Sequence, residues 1–290
     1  MQNKNKIYKF KNFSNSISNR NKLILIIPFI LITLLLVIIP LILIFIKSFV
    51  PVQGASIKDN WDFAFIDTFI LNKIVLSLIV AVIATLICLV LSYPFCFFLS
   101  RTKSKVYKSI VIFIATAPIW TSFLVKLVGL KTFFDAVNGF ENSTFGNMWT
   151  IIGLVYLYIP YMLTPLYTTM INMPANIVNA SYDMGRNSFQ TFFKVVIPYT
   201  WGAMISGITL VFLPALVTVA VPAFLNNSPD GSLIGDIIYE EGSIATTSEI
   251  ALARASTLSL ILITVLTFGY AAVIITKKTY RKIKMKGDEL

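Results

Sequence analysis

The run Ile74–Leu99, IVLSLIVAVIATLICLVLSYPFCFFL, holds 26 residues without a single charge. About 20 apolar residues suffice to carry a helix across roughly 30 Å of hydrocarbon. This stretch alone therefore reads as a membrane span. Five more uncharged apolar runs accompany it: Leu23–Ile46, Ser109–Val125, Met148–Ile171, Tyr199–Leu225 and Ala255–Thr276. The third is the shortest and stops at Lys126, whose long stem can reach the interface. The expected fold is an all-α integral membrane protein with six transmembrane helices, and 57% hydrophobic against 13% charged residues in 290 agrees with that class.

Three segments follow from those runs: a basic cytoplasmic N-terminal tail over 1–22, a six-helix transmembrane domain over 23–276, and a basic cytoplasmic C-terminal tail over 277–290. The apolar run after the first tail is too long for a signal peptide and no small-residue cleavage pattern follows it, so it is expected to stay as an anchor. Basic residues set the orientation. With both termini inside, 18 of the 24 Lys and Arg fall in cytoplasmic segments, among them Lys4, Lys6, Lys9, Lys11, Arg101, Lys103, Arg186, Lys194 and Lys277. Outside remain Lys47, Lys58, Lys73, Lys126, Lys131 and Arg254, together with ten of the thirteen acids. The outer loop from Asn226 to Ile250 carries Asp230, Asp236, Glu240, Glu241 and Glu249 with no base.

Composition also excludes chemistry. No His and only two Cys remove a His general base, a Ser-His-Asp triad, most metal sites and a disulfide framework. The net charge of +11 points to anionic lipid headgroups rather than nucleic acid, since no folded polar domain is interleaved with the bases. Small residues Ser77, Ala81, Thr85, Cys88 and Ser92 repeat at helical spacing in the second span, as Gly202, Ser206 and Thr209 do in the fifth. Both stripes are read as packing faces within the chain, with a subunit interface as the alternative. Prolines at 28, 40, 94, 118, 160, 165, 214 and 222 are expected to kink their helices.

The most specific segment is the cytoplasmic loop 172–198. From Pro174 it reads as a short helix, a break at Gly185 and a second apolar turn feeding the fifth span. Asn179-Ala180-Ser181 is followed after three residues by Gly185, then after nine by Val195, Ile197 and Pro198. This spacing resembles the cytoplasmic loop of ABC importer permeases, which reads Glu-Ala-Ala, then Gly, then Ile-x-Leu-Pro. Asn179 and Ser181 depart from the triplet. Tyr93-Pro94, Ser100-Arg101, Pro118 to Leu124, Val155 to Met162, Pro165 to Tyr167 and Asp183-Met184-Gly185 further resemble the B-type permeases of spermidine/putrescine importers, in the binding-protein-dependent transport system inner membrane component family. The resemblance runs from about Leu23 to Thr276 and departs at Lys126, where Arg is expected, and in the lysine-rich ends.

That resemblance implies an ABC importer type I permease-like bundle in a bacterial plasma membrane, moving polyamines by alternating access. It implies a homologous second permease forming a heterodimer, two ATPase subunits and an extracytoplasmic polyamine-binding protein. It makes Asn179, Ala180, Ser181, Asp183, Gly185, Val195, Ile197 and Pro198 the ATPase-coupling loop. The chain has no Gly-x-x-x-x-Gly-Lys-Ser/Thr run, so ATP and Mg are expected on the partner ATPase and no cofactor on this chain. Because no acid lies inside any span, Trp120, Tyr156, Tyr158 and Tyr161 are the candidates for a transient cation path. Asp236, Glu240 and Glu241 are the outer candidates, receiving the substrate or docking the binding protein. A permease for another small solute stays open as an alternative, and so does a secondary transporter or channel, although such proteins usually place ionisable groups in mid-membrane.

Overall fold

The computed structural model describes residues 19–52, 56–138, 146–226 and 231–287, and the elements among them are helices. The N-terminal bases Lys4, Lys6, Lys9 and Lys11, and the acids Glu141 and Asp230, lie outside the described residues. The first rod is α1 (Asn19–Thr33), a π turn (Leu34–Ile38) and α2 (Ile39–Phe49). A short helix α3 (Ile57–Phe65) follows, opened by a capping box in which Ser56 and Asp59 exchange hydrogen bonds.

Three helices make the core: α4 (Thr68–Arg101), α7 (Gly146–Ile171) and α10 (Ile197–Leu216). At about 1.5 Å per residue α4 is about 51 Å long, so its ends project beyond the hydrocarbon. Asp67 caps it, accepting from the Phe69 amide at 2.9 Å. The small stripe expected in this span lies on its buried face, with Ser77, Ala81, Cys88 and Ser92 sealed from solvent. Cys88 and Cys96 thiols face the Val155 and Leu163 carbonyls of α7 at 3.8 and 3.7 Å. The constant offset makes α4 and α7 parallel neighbours. Tyr93 of α4 bonds the Thr200 hydroxyl of α10, and Leu89 and Met204 line one groove while Val82 and Leu213 line another. Numbers rise along α4 as they fall along α10, so that pair is antiparallel.

The stripe expected on the fifth span is not its packed face: Gly202 and Ser206 are exposed. The close approach comes one residue on, at Gly207, where a Cβ would fall 2.6 Å from the Met162 sulfur.

Two spans differ from their expected form. The third is not a straight helix over Ser109–Val125. It is α5 (Lys105–Thr116), a 3-10 turn (Ala117–Trp120) and α6 (Phe123–Asn138), with a bend of 99° between the two arms. Pro118 has no amide to continue the ladder. Its carbonyl instead collects the Thr121 amide at 3.4 Å, the Thr121 hydroxyl at 3.1 Å and the Lys126 ammonium at 2.8 Å. Among the described residues, five helices are by length and composition able to cross a membrane, or six if the bent pair counts as one span.

The fifth span is shifted toward the cytoplasmic loop relative to Tyr199–Leu225. Its helix runs unbroken over Ser188–Leu216, and the chain then breaks at Val217–Val219 before a short α11 (Ala220–Leu225). The outer segment after it is not a solvated loop but carries α12 (Ile234–Ile244). The last helix, α13 (Glu249–Gly287), packs on α2, α3 and α12 rather than at the centre of the three-helix core.

Candidate functional site

The cytoplasmic loop folds as a helical hairpin: α8 (Ala175–Asp183), a tight turn, then α9 (Ser188–Thr191) running into a π turn (Phe192–Val196) that opens α10. Gly185 has φ +76°, the only positive φ among the described residues. Its amide donates to the Tyr182 carbonyl at 2.8 Å and the Arg186 amide to the Ser181 carbonyl at 3.2 Å. This pair of bonds is a Schellman motif, which places a left-handed residue at the first position past the helix. Asn187 restarts the helix by accepting from the Gln190 amide at 2.8 Å.

The two arms are pinned by the Ser181 and Thr191 hydroxyls, 2.9 Å apart and both buried. Ser181, one of the two departures from the family triplet, therefore makes a contact that alanine could not. Val178 and Val196 are buried, while Asn179, Ala180, Asp183, Gly185 and Pro198 are exposed and Val195 and Ile197 half-buried. Ile177, Tyr182, Met184 and Phe189 add outward apolar surface. Inward, Phe192 wedges its ring between Tyr93 and Phe97 of α4, with centroids 5.6 and 5.3 Å away. Neither Phe192 nor Thr191 stood out in the sequence, because aromatic and hydroxyl residues at the foot of a span are ordinary there.

A second constellation sits at the opposite end of the core. α12 docks against the outer end of α4, where the Ile234 amide donates to the Ser77 hydroxyl at 2.8 Å. It also abuts the break after α10, since a Cβ on Gly235 would fall 2.7 Å from the Thr218 carbonyl and 2.8 Å from that of Val217. Only glycine lets the two backbones approach this closely. The Asp236 carboxylate accepts from the Leu233 amide at 2.7 Å, satisfying a donor at the helix start. Burial pushes that carboxyl up to about 6, against the pull of the Leu233 bond and helped by Glu240, while Lys73 works in the opposite sense.

Of the expected path residues, Tyr158 comes to this region. Its hydroxyl lies toward the Thr218 side chain, and its ring lies 6.1 Å from that of Tyr161. Tyr156 and Trp120 do not join them: Tyr156 is 40% exposed on α7 and Trp120 is 79% exposed at the bend between α5 and α6. Glu240 is exposed. Glu241 is half-buried with its carboxyl raised by that burial, Arg254 opposing the shift. Arg254 in turn lies over the Phe63 ring at 4.4 Å. What the sequence reading missed is Lys73, counted only as an outside charge, which is 4% exposed beside this cluster.

Comparison with known proteins agrees with this architecture. Residues 89–280 match the family model described as binding-protein-dependent transport system inner membrane component. The chain is 38% identical over 275 residues to the spermidine/putrescine transport system permease protein PotB homolog of Mycoplasma genitalium, covering 92% of this chain and 96% of that one. It is 43% identical over 203 residues to the PotB homolog of Mycoplasma pneumoniae, covering 67% and 71%. The spermidine/putrescine transport system permease protein PotB of Escherichia coli is 34% identical over 193 residues, covering 62% and 69%.

Proposed function

The chain belongs to the binding-protein-dependent transport system inner membrane component family, and from that premise we propose that it translocates spermidine and putrescine as the permease of an ATP-driven importer. It is a multi-pass transport subunit of a bacterial plasma membrane and not an enzyme. ATP and Mg are bound by a separate ATPase, two copies of which serve this permease and a homologous second one, and an extracytoplasmic protein delivers the polyamine. Both termini face the cytoplasm, which puts loop 172–198 inside and α12 outside.

The observation that carries this reading is the hairpin of α8 and α9. It turns Asn179, Ala180, Asp183 and Gly185 outward with the apolar side chains of Ile177, Met184 and Phe189, while its inner side is locked by the Ser181 and Thr191 hydroxyls. An exposed apolar surface on a rigid cytoplasmic turn fits a groove on a protein partner. A partner that binds it differently with and without ATP shifts the helix arrangement attached to it, and equal contact in both states would shift nothing. At the outer end, Asp236, Tyr158 and Tyr161 supply a carboxylate and aromatic faces, which offset the desolvation of an ammonium.

The test is purification of the chain with its ATPase, second permease and binding protein, followed by uptake of labelled spermidine into proteoliposomes. ATP-dependent uptake competed by putrescine is expected. An ATP-independent uptake would overturn the importer reading, and uptake indifferent to an excess of either polyamine would overturn the substrate.

A further inference from the structure

Beside its contact with α7, α4 closes on α10 to form an apolar trough. The inner part is a groove of about 620 Å³ walled by Val90, Pro94 and Phe98 of α4, Phe189 and Phe193 of the hairpin, and Met204 of α10. At Leu89 it meets a second groove of about 330 Å³ that continues past Val82 and Leu213. Of the hydroxyls along the trough, those of Thr85 and Thr209 donate to the Ala81 and Ile205 carbonyls at 2.7 and 2.9 Å, and that of Tyr93 is held by Thr200. The trough therefore offers hydrocarbon walls and little to a polar solute.

Its inner mouth is cationic. Arg101 ends α4, and its guanidinium carbon lies 6.0 Å from the centroid of the Phe97 ring, a wall of the same groove. The Nε and Nη2 groups, which share one edge of that guanidinium, are sheltered from water and have no acceptor among the described residues. Lys108 folds back to the Ser100 carbonyl at 2.7 Å and brings a second positive charge to this end of α4. Among the described residues, Asp183 is the only acid of the segments placed inside. A charged fork without an acceptor is the donor pair that the oxygens of a phosphate take up side by side.

We propose that the inner groove holds one acyl chain of an anionic phospholipid, with the lipid phosphate on the unfilled edge of Arg101. The dimensions agree with that occupant. Leu89 to Phe98 spans about 14 Å along the α4 axis, against about 15 Å for half the hydrocarbon thickness of a bilayer. Arg101 stands about 4.5 Å further along the axis, two residues past the end of the uncharged run at Leu99 and so at headgroup depth. Its long stem lets the fork swing to the mouth of the groove, and basic pockets between helices on the cytoplasmic side suit anionic headgroups. A homologous permease fits this mouth less well, since its own inner ends carry the same excess of bases. The bound lipid bridges α4 to Phe189 and Phe193, bracing the foot of the coupling hairpin from the membrane side. The inference takes from the reading above only the inward placement of the hairpin and not the solute.

The test is native mass spectrometry of the purified complex in detergent, titrated with phosphatidylglycerol or with zwitterionic phosphatidylcholine of the same chains. Wild type is expected to retain phosphatidylglycerol several-fold more than phosphatidylcholine. Arg101→Gln is expected to lose that preference, and Val90→Trp, which narrows the groove with the charge intact, to retain less of both lipids. Val90 is exposed, so its replacement leaves the packed core untouched. Equal retention of the two lipids by wild type, a preference unchanged in Arg101→Gln, or retention unchanged in Val90→Trp would overturn the proposal. Displacement of phosphatidylglycerol by inorganic phosphate alone would reduce the mouth to a free-anion site and overturn the seated chain. Lipid retained by this chain alone but excluded once the second permease is bound would give the groove to that subunit and also overturn it. Spermidine uptake is read separately in proteoliposomes; its absence would overturn the transport reading and leave the lipid retention as measured.

Discussion

Replacement of Gly185 isolates the backbone of the coupling turn from its surroundings. At φ +76° a residue with a Cβ meets its own carbonyl oxygen, a cost of about 1–2 kcal/mol. Nothing else opposes the change within the chain, since a Cβ there would have no atom within 4 Å. The Gly185 and Arg186 bonds to Tyr182 and Ser181 form only in this conformation, so the cost falls on the turn itself. A penalty of about 1–2 kcal/mol reduces the population of the native turn by a factor of about 5–30. Gly185→Ala should thus insert and fold normally yet show substrate-stimulated ATP hydrolysis and uptake reduced by up to that factor in the reconstituted complex. Gly185→Asn should retain more activity than Gly185→Ala, because asparagine tolerates the left-handed region. If the ATPase also packs against the Gly185 surface, Asn should lose its advantage over Ala and Leu should be the worst of the three. Wild-type activity in both Gly185→Ala and Gly185→Leu would refute the turn as the coupling element.

Ser181→Ala should destabilise the hairpin by about 1–3 kcal/mol by leaving the buried Thr191 hydroxyl unpaired, and Ser181→Ala/Thr191→Val should recover most of it; thermal unfolding of the purified complex measures both. Asp236 loses its charge as pH falls through about 6, so polyamine uptake should decline across that window, with Lys73 and Glu240 facing the carboxyl. The fold itself favours the protonated acid, so stability should move the other way, fully present below the unfolded value of 3.8 and lost as pH rises through about 6. Asp236→Asn should flatten both profiles, and a pH dependence unchanged in that variant would assign it to another group. Cysteine at Tyr239, 66% exposed on α12, should react with a membrane-impermeant maleimide in intact cells, and cysteine at Ser188 only after permeabilisation; the reverse pattern would invert the orientation.

The sequence was most legible where the determinant is local. Gly185 announces its turn because a left-handed residue after a short helix is a property of a few consecutive residues, and the spacing to Pro198 follows the same chain. Apolar length located the helices for a similar reason, since each must satisfy its own backbone in lipid. Apolar length says nothing about a break, however. The 99° bend of the third span is accompanied by Lys126 folding back to the Pro118 carbonyl, a contact between residues that composition scores as a span and its flank. The outer segment was read by its acids, yet Leu233, Ile234, Ile237 and Ile238 already had the spacing of a helix face. Three of those four are buried to 8% exposure or less, which is why Asp236 titrates differently from a loop acid. Lys73 was counted for its sign, and no count of sign reveals that an ammonium is buried.

The two constellations share α10. At its inner end the helix is continuous with the coupling hairpin through the Phe192–Val196 turn and is held to α4 by the Tyr93 and Thr200 hydroxyls. At its outer end the Val217 and Thr218 carbonyls rest against Gly235 of α12. Its 20 residues span about 30 Å as one rod, and Gly207 seats it against Met162 with no room for a side chain. A tightly packed rod transmits displacement rather than absorbing it, because interiors at native density compress little. A shift of the hairpin by a fraction of a helical turn must then reappear at Thr218, beneath the start of α12, or be taken up at the π turn. The π turn is the softer element, with one residue more per hydrogen-bonded ring than the α-helix around it. Under the proposed coupling, the residue that decides between the two is Phe192, whose ring sits between Tyr93 and Phe97 and backs that turn.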